Sequence, residues 1–261
     1  MKLPDRSEDL IYSEDDQIAT LTLNRESKLN TMTPDMGKFL ISIVPYINSN
    51  DRIRVVILTG SGRKSFSAGS DISVLDQYGS NWQLRNRVDY ARAIWSIKKP
   101  VIAKIHGYCI GGGLEMALMS DIRYAAENAQ FGAGEIKLGW HGGAGNTQLL
   151  PRVVPTGKAL EMLLTGEMIS AQEAKEFGLI EKVLPSEDLD DAVENLAEKI
   201  VDNAPIAAQL AKHMVRISQS TAVDIGLQYE NDTFAYCFTT EDSSEGRKAF
   251  AEKRKAHFKG K

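Results

Sequence analysis

Apolar and polar residues alternate over Ile18-Ala19-Thr20-Leu21-Thr22-Leu23, the pattern of a half-buried β-strand. Val55-Val56-Ile57-Leu58-Thr59 and Val101-Ile102-Ala103-Lys104-Ile105 are nearly continuous apolar runs, closed by Gly60-Ser61-Gly62 and His106-Gly107. Such runs predict buried strands that enter loops at their glycines. Thr33-Pro34-Asp35 predicts a helix start: a hydroxyl N-cap, proline at the first helical position and an acid in the first turn. After about Gly145 the pattern changes. Ser170-Ala171-Gln172-Glu173 is a capping-box pattern before a short helix, and stretches 189–203, 205–220 and 222–238 have helical spacing. The chain therefore predicts an α/β part followed by a mostly helical C-terminal third. It carries no fixed-period repeat, low-complexity tract or obvious linker.

Length and composition narrow the class. The 261 residues suit one large domain, or one with a small appendage. With 43% hydrophobic and 25% charged residues, the mix is that of a globular protein in water. A net charge of −4 gives no general attraction to nucleic acid or to an anionic membrane. Cys109 and Cys237 have no paired spacing, which argues against a disulfide scaffold or zinc site and fits a reducing compartment. No run approaches the ~18 apolar residues of a membrane span. The stretch from Met1 to Asp9 lacks the apolar core of a signal peptide, so a cytoplasmic location is expected.

Several chemistries lack their signatures. No glycine cluster has the Gly-x-Gly-x-x-Gly spacing of a dinucleotide site after the first strand. No glycine stands five residues before Gly157-Lys158, so a phosphate-binding loop is missing. His106, His141, His213 and His257 have no nucleophile elbow beside them and no metal-ligand spacing.

Two glycine-bearing segments are more informative. Gly111-Gly112-Gly113 precedes the good helix former Leu114-Glu115-Met116-Ala117-Leu118-Met119. Glycine there is costly unless the backbone needs unusual dihedrals or close approach, and helix N-termini favour negative charge. Ser67-Ala68-Gly69-Ser70-Asp71-Ile72 is the second segment. Were the two to converge, their amides would form an oxyanion hole. Glu115, in the first turn of the helix, and Glu135, in Gln130-Phe131-Gly132-Ala133-Gly134-Glu135-Ile136, would supply acid–base chemistry beside it.

In order and spacing these segments resemble the enoyl-CoA hydratase/isomerase (crotonase) family. The similarity runs from Leu21-Thr22-Leu23-Asn24-Arg25 to Glu252-Lys253-Arg254. It implies a spiral of β-β-α units over residues 1–200 with the acyl-CoA site, and a helical trimerisation region over 201–261. It implies that Ser70 and Gly112 N–H groups hold a thioester oxygen and that Glu115 and Glu135 are catalytic. Residues expected along the CoA substrate are Lys28, Ala68, Ser70, Asp71, Ile72 and Gly112, with Phe234 and Lys253 reaching it from a neighbouring subunit. Asp71 has a competing role as a helix cap, and the basic residues from Arg247 to Lys261 also suit a solvated helical face.

The implied reaction is reversible addition of water to a trans-2-enoyl-CoA, in a homotrimer or a dimer of trimers, with no metal or redox cofactor. The alternatives are a double-bond isomerase or another thioester enolate enzyme, and an RNA-binding relative, which the acidic net charge disfavours. Retention of both glutamates favours hydration. The family pattern beyond Glu135 is Pro-Gly-Ala-Gly-Gly-Thr-Gln-Arg. Here Gly142-Gly143-Ala144-Gly145-Asn146-Thr147-Gln148-Leu149 replaces it, preceded by Trp140-His141. Altered acyl specificity and a repacked loop without a chemical role are the two readings of that change.

Overall fold

The structure is a computed structural model and describes Leu3, Pro4 and residues 7–261. It opens with an antiparallel hairpin of β1 (Leu10–Asp15) and β2 (Ile18–Leu23), in register Leu10 to Leu23. In β2 the alternating Ala19, Leu21 and Leu23 are fully buried, as the pattern requires. Helix α1 (Pro34–Ser49) starts where the sequence places it, with Thr33 Oγ1 accepting the Met36 N–H at 3.2 Å. Its buried face is Met36, Leu40, Ile43 and Ile47.

Three β-β units follow. β3 (Val55–Gly60) leads to β4 (Ser65–Ser67), and the short helices α2 (Ile72–Leu75), α3 (Asn81–Arg85) and α4 (Tyr90–Trp95) come after it. β5 (Val101–Ile105) leads to β6 (Tyr108–Ile110) and α5 (Gly112–Met119). β7 (Ile122–Ala126) leads to β8 (Gln130–Gly132), then α6 (Asn146–Val153) and α7 (Thr156–Thr165). β9 (Ile169–Ser170), α8 (Ala171–Glu176) and β10 (Lys182–Leu184) complete the α/β part.

Each unit gives its first strand to one sheet and its second to another. The six-stranded sheet has the order β1-β2-β3-β5-β7-β10, parallel except for β1. The smaller sheet has the order β4-β6-β8-β9, with β9 antiparallel. This is the expected spiral. Most of the core lies in one cluster that includes Val56, Leu58, Ala103 and Ile105 from the large sheet and Phe66, Cys109 and Phe131 from the small one.

The C-terminal helices are α9 (Leu189–Val201), α10 (Pro205–Ser218), α11 (Val223–Phe238) and α12 (Glu241–Glu252). α9 covers the other face of the large sheet, packing Leu189, Val193 and Ala197 on Val55, Ile57 and Ile102. β3 is thus buried on both faces, which is why its residues do not alternate. α10 is tied to the core through Asp121, which holds Lys212 Nζ at 2.5 Å and Arg216 Nη2 at 3.0 Å. Burial pulls Lys212 down to about 8, opposed by the Asp121 carboxylate. None of the described helices is long and apolar enough to cross a membrane.

β8 ends at Gly132, and Glu135 lies beyond it in the 3-10 turn Gly134–Leu138. The helix expected over 205–220 ends at Ser218.

Candidate active site

The loops leaving β4 and β6 meet. After β4, Gly69 adopts φ +91, and a Cβ there would lie 2.7 Å from the Gly112 nitrogen. Gly69 O accepts the Met32 N–H, and the Asp71 N–H donates to Met32 O. The intervening Ser70 N–H has no acceptor among the described residues, and neither has that of Gly112. Each glycine of the triplet has its own reason. Gly111 takes φ +56 and ψ −122, a conformation that only glycine adopts readily. A Cβ on Gly112 would stand 2.0 Å from Tyr90 Oη, and one on Gly113 would stand 2.1 Å from the Ser67 carbonyl oxygen. The Gly112 amide therefore sits at the positive end of α5, beside the Ser70 segment.

Both residues line a cavity of about 530 Å³ that also carries Ala68, Ile72, Glu115 and Glu135. Glu115, on the first turn of α5, is only 4% exposed. Its Oε1 accepts the Ala144 N–H at 2.7 Å and, weakly, the Asn146 N–H at 3.5 Å. Burial raises its pKa above the ordinary carboxylate value against the Ala144 bond, and the nearby Glu135 charge pushes the same way. Glu135 Oε1 accepts the Asn146 Nδ2–H at 3.0 Å, while its buried Oε2 has no partner. Its pKa is also raised, chiefly by burial, with the Asn146 bond and His141 pulling down. The two carboxyls are neighbours, Glu115 held by a donor on the loop after Trp140 and Glu135 by one on the first residue of α6.

The end of that loop leads into the residue most easily overlooked in the sequence, the first of α6. Asn146 stands where the family pattern has glycine; it is fully buried, with its Oδ1 unpartnered. A Cβ on Gly142 would lie 2.8 Å from Asn146 Cβ and 2.9 Å from Glu115 Oε1. Proline at 142 and asparagine at 146 therefore compete for one space. The two departures from the family pattern explain each other, and the mismatch at 146 was the available signal. Leu149, the other departure, packs against the core. Trp140 and His141 do line the cavity, and His141 Nδ1 donates to Gly142 O at 2.8 Å.

Tyr90 was not legible in the sequence as a site residue. Its hydroxyl lies 2.8 Å from Ser70 Oγ, and burial raises its pKa. Other expected site residues fall elsewhere. Asp71 caps α2 by accepting the Ser73 N–H at 3.3 Å and pairs with Arg25 at 3.1 Å, the capping role anticipated for it. Lys28 is exposed on a 3-10 turn outside the cavity. Phe234 lies 63% exposed on α11, and Lys253 ends α12; the single chain does not bring either to the cavity. Among the described residues no group of three or more His, Cys, Asp or Glu is arranged to hold a metal ion.

Two unpaired amides beside one buried and one half-buried carboxyl define an enzyme site suited to chemistry at carbons next to a carbonyl. The particular family follows from comparison. The family model described as enoyl-CoA hydratase/isomerase matches residues 13–261, and the chain belongs to that family. It is 38% identical to the short-chain-enoyl-CoA hydratase of Clostridium acetobutylicum, across 94% of this chain and 95% of that one. It is 37% identical to the crotonyl-CoA hydratase of Syntrophomonas wolfei, across 96% and 98% of the two chains. The crystal structure of enoyl-CoA hydratase from Bacillus anthracis superimposes with a TM-score of 0.92 at 38% identity, covering 97% of this chain and all of that one. The fold is the crotonase fold.

Proposed function

We propose that this enzyme adds water reversibly across the double bond of a trans-2-enoyl-CoA, giving the 3-hydroxyacyl-CoA. The observation that carries this is the shared cavity of the unpaired Ser70 and Gly112 amides and both glutamates. In the proposed reaction the two N–H groups donate to the thioester oxygen. They stabilise the enolate charge that develops when oxygen bonds to C3, helped by the N-terminal dipole of α5. Water gives its hydroxyl to C3 and the equivalent of its proton to C2. Glu115, oriented by the Ala144 N–H, takes the water proton, and Glu135, oriented by Asn146, exchanges a proton with C2. The thioester supplies the acidity, so the cycle uses no metal or redox cofactor.

Retention of both carboxyls, one buried and one half-buried, favours hydration over a simple shift of the double bond, for which one would serve. The family resemblance makes a trimer or dimer of trimers the proposed assembly, built through residues 201–261. Support comes from α11, which buries none of its residues and leaves Val223 76% and Phe234 63% exposed. In that assembly Phe234 and Lys253 would meet the nucleotide end of a neighbour's CoA, with Lys28 close to it. Crotonyl-CoA in water is the test. Loss of its conjugated absorbance with formation of 3-hydroxybutyryl-CoA supports the proposal; its persistence with folded protein, together with no hydration of longer trans-2-enoyl-CoA thioesters with or without a terminal carboxylate, overturns it.

A further inference from the structure

Arg87 lines the same cavity, in the segment between α3 and α4. Its Nη1 donates to Leu84 O at 3.2 Å and its Nη2 to Gly143 O at 3.2 Å. A Cβ on Gly143 would lie 2.6 Å from Nη2, so the glycine admits the guanidinium against the loop. A guanidinium has five N–H donors, and these two carbonyls use only part of them. Arg25, Arg123 and Arg216 each hold a carboxylate, but Arg87 makes no ion pair among the described residues. Its charge pulls on the Glu115 carboxyl from beyond ion-pair distance, and Leu84, Val88, Leu138 and Trp140 line the cavity with it.

The acids on the cavity wall have other commitments or places. The Asp89 carboxylate accepts the Arg92 N–H as the cap of α4, and Asp76 is exposed. Glu115 is engaged by the Ala144 N–H, the residue next to the carbonyl that Arg87 holds. Position then indicates the ligand. A thioester oxygen at Ser70 and Gly112 puts C2 and C3 at the glutamates, and Arg87 touches the loop on the Glu115 side. What reaches it is the distal part of the acyl group. His141 lines the same cavity.

We propose that Arg87 recognises a carboxylate on the acyl chain, so that the preferred substrates are CoA thioesters of unsaturated dicarboxylic acids. This inference rests on the hydratase reading and adds the substrate class. A guanidinium–carboxylate pair in partly apolar surroundings is a strong charge-assisted contact.

The test compares CoA thioesters of equal length with and without a terminal carboxylate: trans-2-pentenoic against trans-2-pentenedioic acid, and trans-2-hexenoic against trans-2-hexenedioic acid. The wild-type enzyme is expected to favour the diacid at least tenfold in kcat/KM for one of these pairs. Arg87→Met should lower that diacid-to-monoacid ratio tenfold or more, and Arg87→Lys should retain part of it. The ratio is internal to each variant, so a general loss of folded protein does not move it. A wild-type preference for the monoacid in both pairs would overturn the inference and leave the hydratase reading intact. So would an equal loss on both substrates in Arg87→Met, which would make Arg87 a group that only tunes Glu115. Hydration of none of the four thioesters by folded enzyme would overturn the hydratase reading and this inference with it.

Discussion

Glu115 buries its carboxyl and Glu135 half-buries its own, where an ordinary surface position would leave both in water, and in the proposed mechanism that burial bears on both activity and stability. Glu115→Gln or Glu135→Gln should each lower kcat by roughly 10²- to 10⁴-fold, while CoA binding persists. Because both pKa values are raised, the acid limb of kcat/KM should fall above the usual carboxylate value of about 4.3. A raised pKa means that the folded state favours the protonated group. That stabilisation is full below the unfolded pKa and is lost as pH rises through the folded one. Glu115→Gln should therefore be more stable than wild type at pH 8, by on the order of 1 kcal/mol, with the gain shrinking towards pH 4. Thermal unfolding at the two pH values checks the sign. Gly142→Ala should cost about 1–3 kcal/mol because its Cβ meets Asn146, and Asn146→Gly should remove much of that cost. Independent effects in that double-mutant cycle would contradict the shared-space account. Both glutamates were singled out in the sequence, Glu115 by its place in the first turn after the glycines and Glu135 by the family resemblance, and both line the cavity. The Asn146 contacts were not legible, because they depend on how the loop before α6 brings the start of that helix over two side chains.

At the scale of elements, α5 is held close to β4 by glycine. Gly113→Ala would drive a Cβ into the Ser67 carbonyl, a backbone atom that cannot rotate away. Its expected cost is about 1–3 kcal/mol, read by denaturant unfolding, with loss of activity from the displaced Gly112 amide. Legibility here followed element length and regularity. β2, β3, β5 and the capped starts of α1 and α8 stand where apolar pattern and caps put them. The small sheet was invisible from periodicity. Its strands span two or three residues and pair across long sequence separations, as Tyr108 does with Gln130. Two or three residues cannot display a period of two. For the same reason the pattern alone did not show that β8 stops before Glu135, whose place comes from a 3-10 turn.

Across the whole molecule, the helical third is fastened to the α/β part by the Asp121 ion pairs and by α9. Asp121→Ala would strand Lys212 and Arg216, both largely buried, and should destabilise by about 3–5 kcal/mol. A loss below 1 kcal/mol would show that water or another group compensates. The family resemblance gave the spiral core and the helical end together, where periodicity alone gave only an α/β part followed by helices. Phe234 and Lys253, which the proposed assembly would bring to the nucleotide end of a neighbour's substrate, lie away from the cavity in the single chain. Turnover of crotonyl-CoA in heavy-oxygen water, by wild type, Glu115→Gln and Glu135→Gln, tests the central claim most directly. The account predicts one heavy oxygen in each 3-hydroxybutyryl-CoA formed by wild type, and formation slowed by orders of magnitude in both variants. A product with a shifted double bond and no heavy oxygen, or near-normal hydration by both variants, would contradict it.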